Sequence, residues 1–253
     1  MSWRIVLPLS AFLATAGGAF SLSGSPVLEA GGRISISLGD GAVETLVVTA
    51  KGDGPPPALL VGLHGYGMEA AQIATLVDIE PSFDHVYLAP EGFHRLEDGS
   101  RAWFPIGFDG REPVVNRDDF ERFADRLDRY VEAAAARVGA RTVYLIGYSQ
   151  GGAAAINLAA TRPGLADAFV GLAGSVLPSV LGSASTVSSR LFVGHGTRDP
   201  VVPHALIIDG VERLRQRGVD VTFREYDIPH VVGAAERRDV AAWLDQVHAV
   251  RRR

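Results

Sequence analysis

Ser149 lies in the run Gly147-Tyr148-Ser149-Gln150-Gly151-Gly152, between an apolar stretch at 142–146 and an alanine-rich stretch at 153–159. The first stretch reads as a buried strand and the second as a helix. A serine at such a strand-to-helix turn, with glycines on either side, has the pattern of a nucleophile elbow. The turn is so sharp that side chains beside the serine would meet neighbouring backbone, and glycine removes the Cβ that would collide. The hydroxyl is left exposed at the positive end of a helix, on strained backbone.

A serine hydroxyl is a poor nucleophile at neutral pH. It needs a base to take its proton, and the base needs an acid to orient it. Behind an elbow of this kind the chain order is serine, acid, histidine. Four histidines follow Ser149: His195, His204, His230 and His248. His248 falls in a C-terminal helical pattern and is expected to face outward. His204 falls at a helix start. His195 lies in a Gly-His-Gly turn and reads as structural. His230 lies in a loop between the last strand and the last helix, where the base belongs. Asp199, after a strand and before Pro200, is the favoured acid; Asp220 and Asp227 flank the last strand and are weaker candidates. The oxyanion formed on attack needs backbone N–H donors. One is expected from Gln150, the residue after the nucleophile, and one from Tyr66 in the glycine loop His64-Gly65-Tyr66-Gly67. His64 is expected to brace that loop.

Composition narrows the chemistry. The chain has 253 residues, 47% of them hydrophobic, no cysteine, and Lys51 as its one lysine. Disulfides, thiolate metal sites and a thiol nucleophile are excluded, and lysine chemistry has almost no candidate. The nucleophile must be an oxygen. No metal motif and no cofactor motif is found. The net charge of −5 and the absence of a basic stripe argue against a nucleic-acid partner.

The elements that must position these groups are legible as alternating strands and helices. A hairpin is expected over 33–38 and 43–48, and strands over 58–63, 83–89, 168–173, 190–194 and 219–226. Helices are expected over 69–76, from Asp118 (with Asp118 and Glu121 at capping-box spacing), over 204–217 and over 234–250. The loop 91–117 is long and polar, and loops of that length in compact domains are often functional. Trp103 and Phe104 in it, with Val176 and Leu177 in the serine-rich stretch 175–189, are candidates for shaping a substrate pocket. The sum is an α/β chain with a mostly parallel sheet and helices on both faces, its chemistry placed just after the strands.

Residues 26–253 read as one domain. Residues 1–25 differ: Arg4, an apolar run at 5–13 and the small-x-small triplet Ala14-Thr15-Ala16 suit an export signal. On that reading the protein is periplasmic or secreted; without cleavage it is cytoplasmic with an N-terminal extension. The run is too short to serve as a stable membrane anchor.

The motifs Leu63-His64-Gly65-Tyr66-Gly67, Gly147-Tyr148-Ser149-Gln150-Gly151-Gly152, the run 195–203 beginning His195-Gly196-Thr197-Arg198-Asp199-Pro200, and Pro229-His230 resemble the phospholipase/carboxylesterase family of α/β-hydrolases. The resemblance runs from about residue 57 to 250. It implies the α/β-hydrolase fold, a triad of Ser149, Asp199 and His230, an oxyanion hole at the N–H groups of Tyr66 and Gln150, a small-molecule ester substrate and no cofactor. Tyr66 departs from the leucine common in thioesterase members, and the Trp103-Phe104-Pro105 run is closer to bacterial esterases. A carboxylic ester hydrolase is therefore expected first. Lysophospholipase, acyl thioesterase and polyester hydrolase are alternatives within the class, and a catalytically silent binding module is the alternative outside it.

Overall fold

The computed structural model describes residues 28–51, 57–109, 112–181 and 187–251. The expected export segment at 1–25 lies outside the described residues. In chain order the elements are β1 (Arg33–Ser37), β2 (Ala42–Lys51), β3 (Ala58–Leu63), α1 (Ala70–Leu76), β4 (His85–Pro90), β5 (His94–Arg95), β6 (Arg101–Ala102), β7 (Gly107–Asp109), β8 (Glu112–Val114), α2 (Arg117–Val138), β9 (Val143–Tyr148), α3 (Gln150–Thr161), β10 (Ala168–Leu172), α4 (Pro178–Leu181), β11 (Ser189–Gly196), α5 (His204–Gln216), β12 (Val219–Tyr226) and α6 (Ala234–Arg251).

Eight strands form one sheet in the order β1-β2-β4-β3-β9-β10-β11-β12. From β4 to β12 every pairing is parallel, while β1 and β2 add an antiparallel margin. The parallel strands β3, β4 and β10 are buried at every position, as strands covered on both faces must be. Alternate side chains serve opposite faces. Leu59, Val61, Leu63, Leu145, Leu191 and Val193 join α2, α3 and α5 on one side. Leu60, Tyr144, Ile146 and Phe192 join α1 and α6 on the other.

The helix α2 carries Phe120, Phe123, Leu127, Tyr130, Val131 and Ala134 as a buried stripe at helical spacing. Each large side chain so buried contributes about 1.5–3 kcal/mol. Its N-cap is Asn116, not Asp118: Asn116 Oδ1 accepts from Asp118 N at 2.8 Å and Asp119 N at 3.3 Å. Glu121, freed from capping, joins Asp125 and Asp128 around the Arg162 guanidinium at 2.6, 2.8 and 2.8 Å. Their spacing puts these carboxylates on one face of α2, where they tie it to the end of α3.

The loop 91–117 carries more order than expected. Two short hairpins, β5–β6 and β7–β8, fold within it. His248 also turns inward rather than out, its Nδ1 3.0 Å from Tyr144 Oη and its ring stacked on Phe83. Among the described residues no helix is long and apolar enough to cross a membrane, and no cluster of three or more His, Asp or Glu could hold a metal ion.

Candidate active site

Ser149 sits between the end of β9 and the start of α3 with φ 55° and ψ −114°. A non-glycine residue held there costs about 1–3 kcal/mol, and surrounding structure must enforce it. The enforcement is close packing of backbone on backbone. A Cβ on Gly147 would strike the carbonyl of Gly151, and one on Gly151 would strike the carbonyl of Leu63. The Ser149 N–H donates to Leu172 O at 2.9 Å, and the Ala153 N–H donates to Ser149 O at 2.8 Å. The elbow is thus pinned to β10 on one side and to its own helix on the other.

The loops after β11 and β12 bring Asp199 and His230 to this serine. His230 Nε2 lies 3.0 Å from Ser149 Oγ, and His230 Nδ1 lies 2.7 Å from Asp199 Oδ2. The Asp199 side chain is fully buried and the His230 side chain is 15% exposed. Asp199 Oδ1 accepts from Val201 N at 2.8 Å and Val202 N at 2.9 Å. Burial alone would push the Asp199 carboxyl up. The hydrogen bond from His230, those from the two backbone N–H groups and the charge of His230 outweigh it and hold the carboxyl below its ordinary value. An ionised Asp199 requires Nδ1 of His230 to carry a hydrogen, and in the neutral imidazole Nε2 is then the acceptor facing Ser149 Oγ–H. This arrangement can draw a proton from the hydroxyl.

His195 is fully buried and uses Nε2–H to donate to Val202 O at 2.9 Å. Burial lowers its pKa, so it is neutral, and its 3.8 Å approach to Asp199 is no ion pair. It props the loop that carries Asp199, the structural place expected for it. Asp227 instead binds the Arg198 side chain at the surface.

The glycine loop lies against the other side of Ser149. A Cβ on Gly65 would come within 3.3 Å of Ser149 Cβ. His64 is fully buried, and its Nδ1–H donates to Gly65 O at 2.8 Å while its Nε2 accepts from Gly92 N at 2.9 Å. Burial pushes its pKa down, so one donor and one acceptor persist. The Gly65 carbonyl and the Tyr66 N–H share one trans peptide plane and point in opposite directions. Fixing the carbonyl on His64 therefore turns the Tyr66 N–H away from that ring. The Tyr66 side chain is 50% exposed. Gln150 opens α3, where first-turn N–H groups have no acceptor within the helix.

The residues expected to shape a pocket have interior places. Trp103, Phe104, Val176 and Leu177 are each under 8% exposed: 2%, 1%, 7% and 0%. Trp103 Nε1 donates to His64 O at 2.7 Å, and its ring lies 4.9 Å from the His64 ring. The Gln150 carboxamide accepts from Trp103 N at 3.0 Å and donates to Phe104 O at 2.8 Å. Asn157 on α3 likewise holds Ser175 O at 3.0 Å and Leu177 N at 2.9 Å. The sequence motif gives Gln150 a backbone role only and does not reach Asn157. A polar residue inside the otherwise apolar helix 153–159 was the available signal. A separate hollow between β12 and α6, lined by Thr222, Arg224, Asp239 and Trp243, contains none of these groups.

A parallel sheet whose β9 ends in a strained serine turn, with histidine and aspartate arriving from later strands, defines an α/β-hydrolase. The family model described as Phospholipase/Carboxylesterase matches residues 44–248, and the chain belongs to that family. Solved structures agree on the fold. A carboxylesterase from Bacillus cereus is 22% identical with a TM-score of 0.69, the match covering 81% of this chain and 94% of that one. Acyl-protein thioesterase 2 from Zea mays is 23% identical with a TM-score of 0.64, covering 80% and 98%. A carboxylesterase from Mesorhizobium loti is 21% identical with a TM-score of 0.67, covering 80% and 93%.

Proposed function

We propose that the protein is a serine carboxylic ester hydrolase working through an acyl-enzyme on Ser149. The observation that carries this reading is the continuous chain from Ser149 Oγ to His230 Nε2 at 3.0 Å and from His230 Nδ1 to Asp199 at 2.7 Å. Ser149 Oγ attacks the ester carbonyl carbon as its proton passes to His230 Nε2. Asp199 stabilises the imidazolium and holds its orientation. The N–H groups of Tyr66 and Gln150 receive the oxyanion, each donor of this kind being worth about 2.7–4 kcal/mol. Collapse of the tetrahedral adduct breaks the bond to the alcohol, which leaves with the proton from His230. Water then attacks the acyl-enzyme with His230 again as base, and the acid departs.

The test is Ser149→Ala on purified protein. Turnover of p-nitrophenyl acetate should fall by at least about 10³-fold, and a fluorophosphonate probe should label wild type at Ser149 but not the variant. Retained turnover in Ser149→Ala would refute the reading. A panel of short esters, long-chain lysolipids and acyl thioesters then sorts the substrate class, with short esters expected to turn over fastest.

A further inference from the structure

Tyr148 is the last residue of β9 and the immediate neighbour of Ser149. It is 6% exposed. Its hydroxyl donates to the backbone carbonyl of His230 at 2.8 Å, across 82 positions of sequence. Its ring centroid lies 5.2 Å from that of His230, tilted by 43°. Burial, with the negative charges of Asp199 and Glu236 adding to it, pushes the phenol well above its ordinary value. The group therefore stays O–H and keeps donating wherever an ester hydrolase works.

The carbonyl it holds belongs to the segment that follows β12, which Arg198 also holds through the Asp227 carbonyl at 2.8 Å. His230 lies between β12 and α6, and β12 is the outermost strand, paired only with β11. Val231 N to Pro229 O at 2.8 Å is a bond internal to the loop. Arg198 N to Ile228 O at 3.2 Å ties the loop to the acid's own loop. Gly233 N donates to Glu236 at 3.3 Å, at the entry to α6. The Tyr148 bond differs in what it connects. It runs from the strand that carries the nucleophile to the very residue that carries the base. Together with the contact between Ser149 Oγ and His230 Nε2 it closes a small ring of atoms, so displacement of the base is resisted from the nucleophile's own backbone.

We propose that Tyr148 is a positioning residue: its hydroxyl, bonded to the His230 carbonyl, sets the distance between His230 Nε2 and Ser149 Oγ. This rests on the roles given to Ser149 and His230 above. A base displaced by a fraction of an ångström loses proton-transfer efficiency while substrate binding is little changed. A purely packing role for the ring would leave the hydroxyl without kinetic weight.

The experiment compares wild type, Tyr148→Phe, Tyr148→Leu and Ser149→Ala. In Tyr148→Phe, kcat for p-nitrophenyl acetate should fall about 2- to 12-fold, the range one hydrogen bond commands, with KM within about twofold. The rate of fluorophosphonate labelling should fall by the same factor, since it reports reactivity of Ser149 without product release. Amide hydrogen exchange over 230–233 should quicken. A melting temperature lowered with kcat and labelling rate unchanged would overturn the proposal. So would a wild-type-like Tyr148→Phe beside an impaired Tyr148→Leu, which would assign the effect to the ring. An active Ser149→Ala would instead bring down the functional reading itself, so the two failures are distinguishable.

Discussion

Removing the His64 ring tests how the glycine loop presents the Tyr66 N–H, the oxyanion donor proposed above. In His64→Ala the Gly65 carbonyl loses its shorter bond, at 2.8 Å, and keeps the one from the Met68 N–H at 3.3 Å, while the Gly92 N–H loses its acceptor at 2.9 Å. The site is fully buried, so bulk solvent does not reach the two groups. An orphaned buried N–H costs about 1–3 kcal/mol. Loss of a large core side chain costs a further 2–5 kcal/mol or so. Together they predict a stability loss of about 3–8 kcal/mol, read by urea unfolding. The kinetic effect has a separate ceiling. If the Gly65–Tyr66 peptide swings away, one oxyanion donor is lost, which bounds the fall in kcat at about 10²–10³. KM should move less than about threefold, because that donor acts on charge that develops only in the transition state. Steady-state hydrolysis of p-nitrophenyl acetate, well below the melting temperature, measures both constants. A variant that unfolds more easily yet keeps kcat within threefold of wild type would refute the reasoning: His64 would then be a filler of the core and not the support of a donor.

Three further outcomes follow from charge. Asp199→Asn keeps the shape of the acid but removes its charge, so His230 is no longer compelled to carry its hydrogen on Nδ1; kcat should fall about 10⁴-fold. The same carboxyl is held low in the fold, so its contribution to stability is present above the ordinary value of 3.8 and is lost as pH falls through the lower folded value. Acid unfolding of wild type and Asp199→Asn should converge there. Glu236 is 1% exposed, and burial, reinforced by Asp239 against the opposing Gly233 N–H, pushes its carboxyl from 4.5 up to about 7. The folded chain then binds its proton more tightly than the unfolded chain. Stability declines as pH rises from 4.5 to about 7, by about 3 kcal/mol in all. Glu236→Gln should be more stable than wild type at pH 8 and nearly equal to it at pH 4.5; denaturation midpoints that run parallel across that range would contradict this.

The parts of the fold that sequence made legible are those governed by periodicity. The strands β3, β9, β10 and β11 appear as apolar runs, and α2 as a stripe at helical spacing, because burial selects those patterns directly. The same strand patterns put Ser149 after β9, Asp199 after β11 and His230 after β12. What was not legible depends on cross-chain partners. Asn116 and Asp118 are both good caps by type, and only the backbone path chooses Asn116. Trp103 and Phe104 look like pocket residues because they are aromatic and lie in a long loop; their burial follows from the Gln150 carboxamide and the His64 carbonyl, which no local pattern reveals. His248 is expected outward merely from lying in a terminal helix, yet it stands four residues after the buried Leu244, on the inward face, where the hydroxyl of Tyr144 and the ring of Phe83 meet it.

The two residues flanking Ser149 reach opposite ways. Tyr148 grips the segment after the last strand, and Gln150 grips the aromatic segment after β6. A tripeptide is therefore the hub at which both segments are moored, and the variable positions of a Gly-x-Ser-x-Gly signature are not free to vary here. Each is matched to a segment: grafting either loop from a relative would bring with it a demand for the flanking residue that fits it.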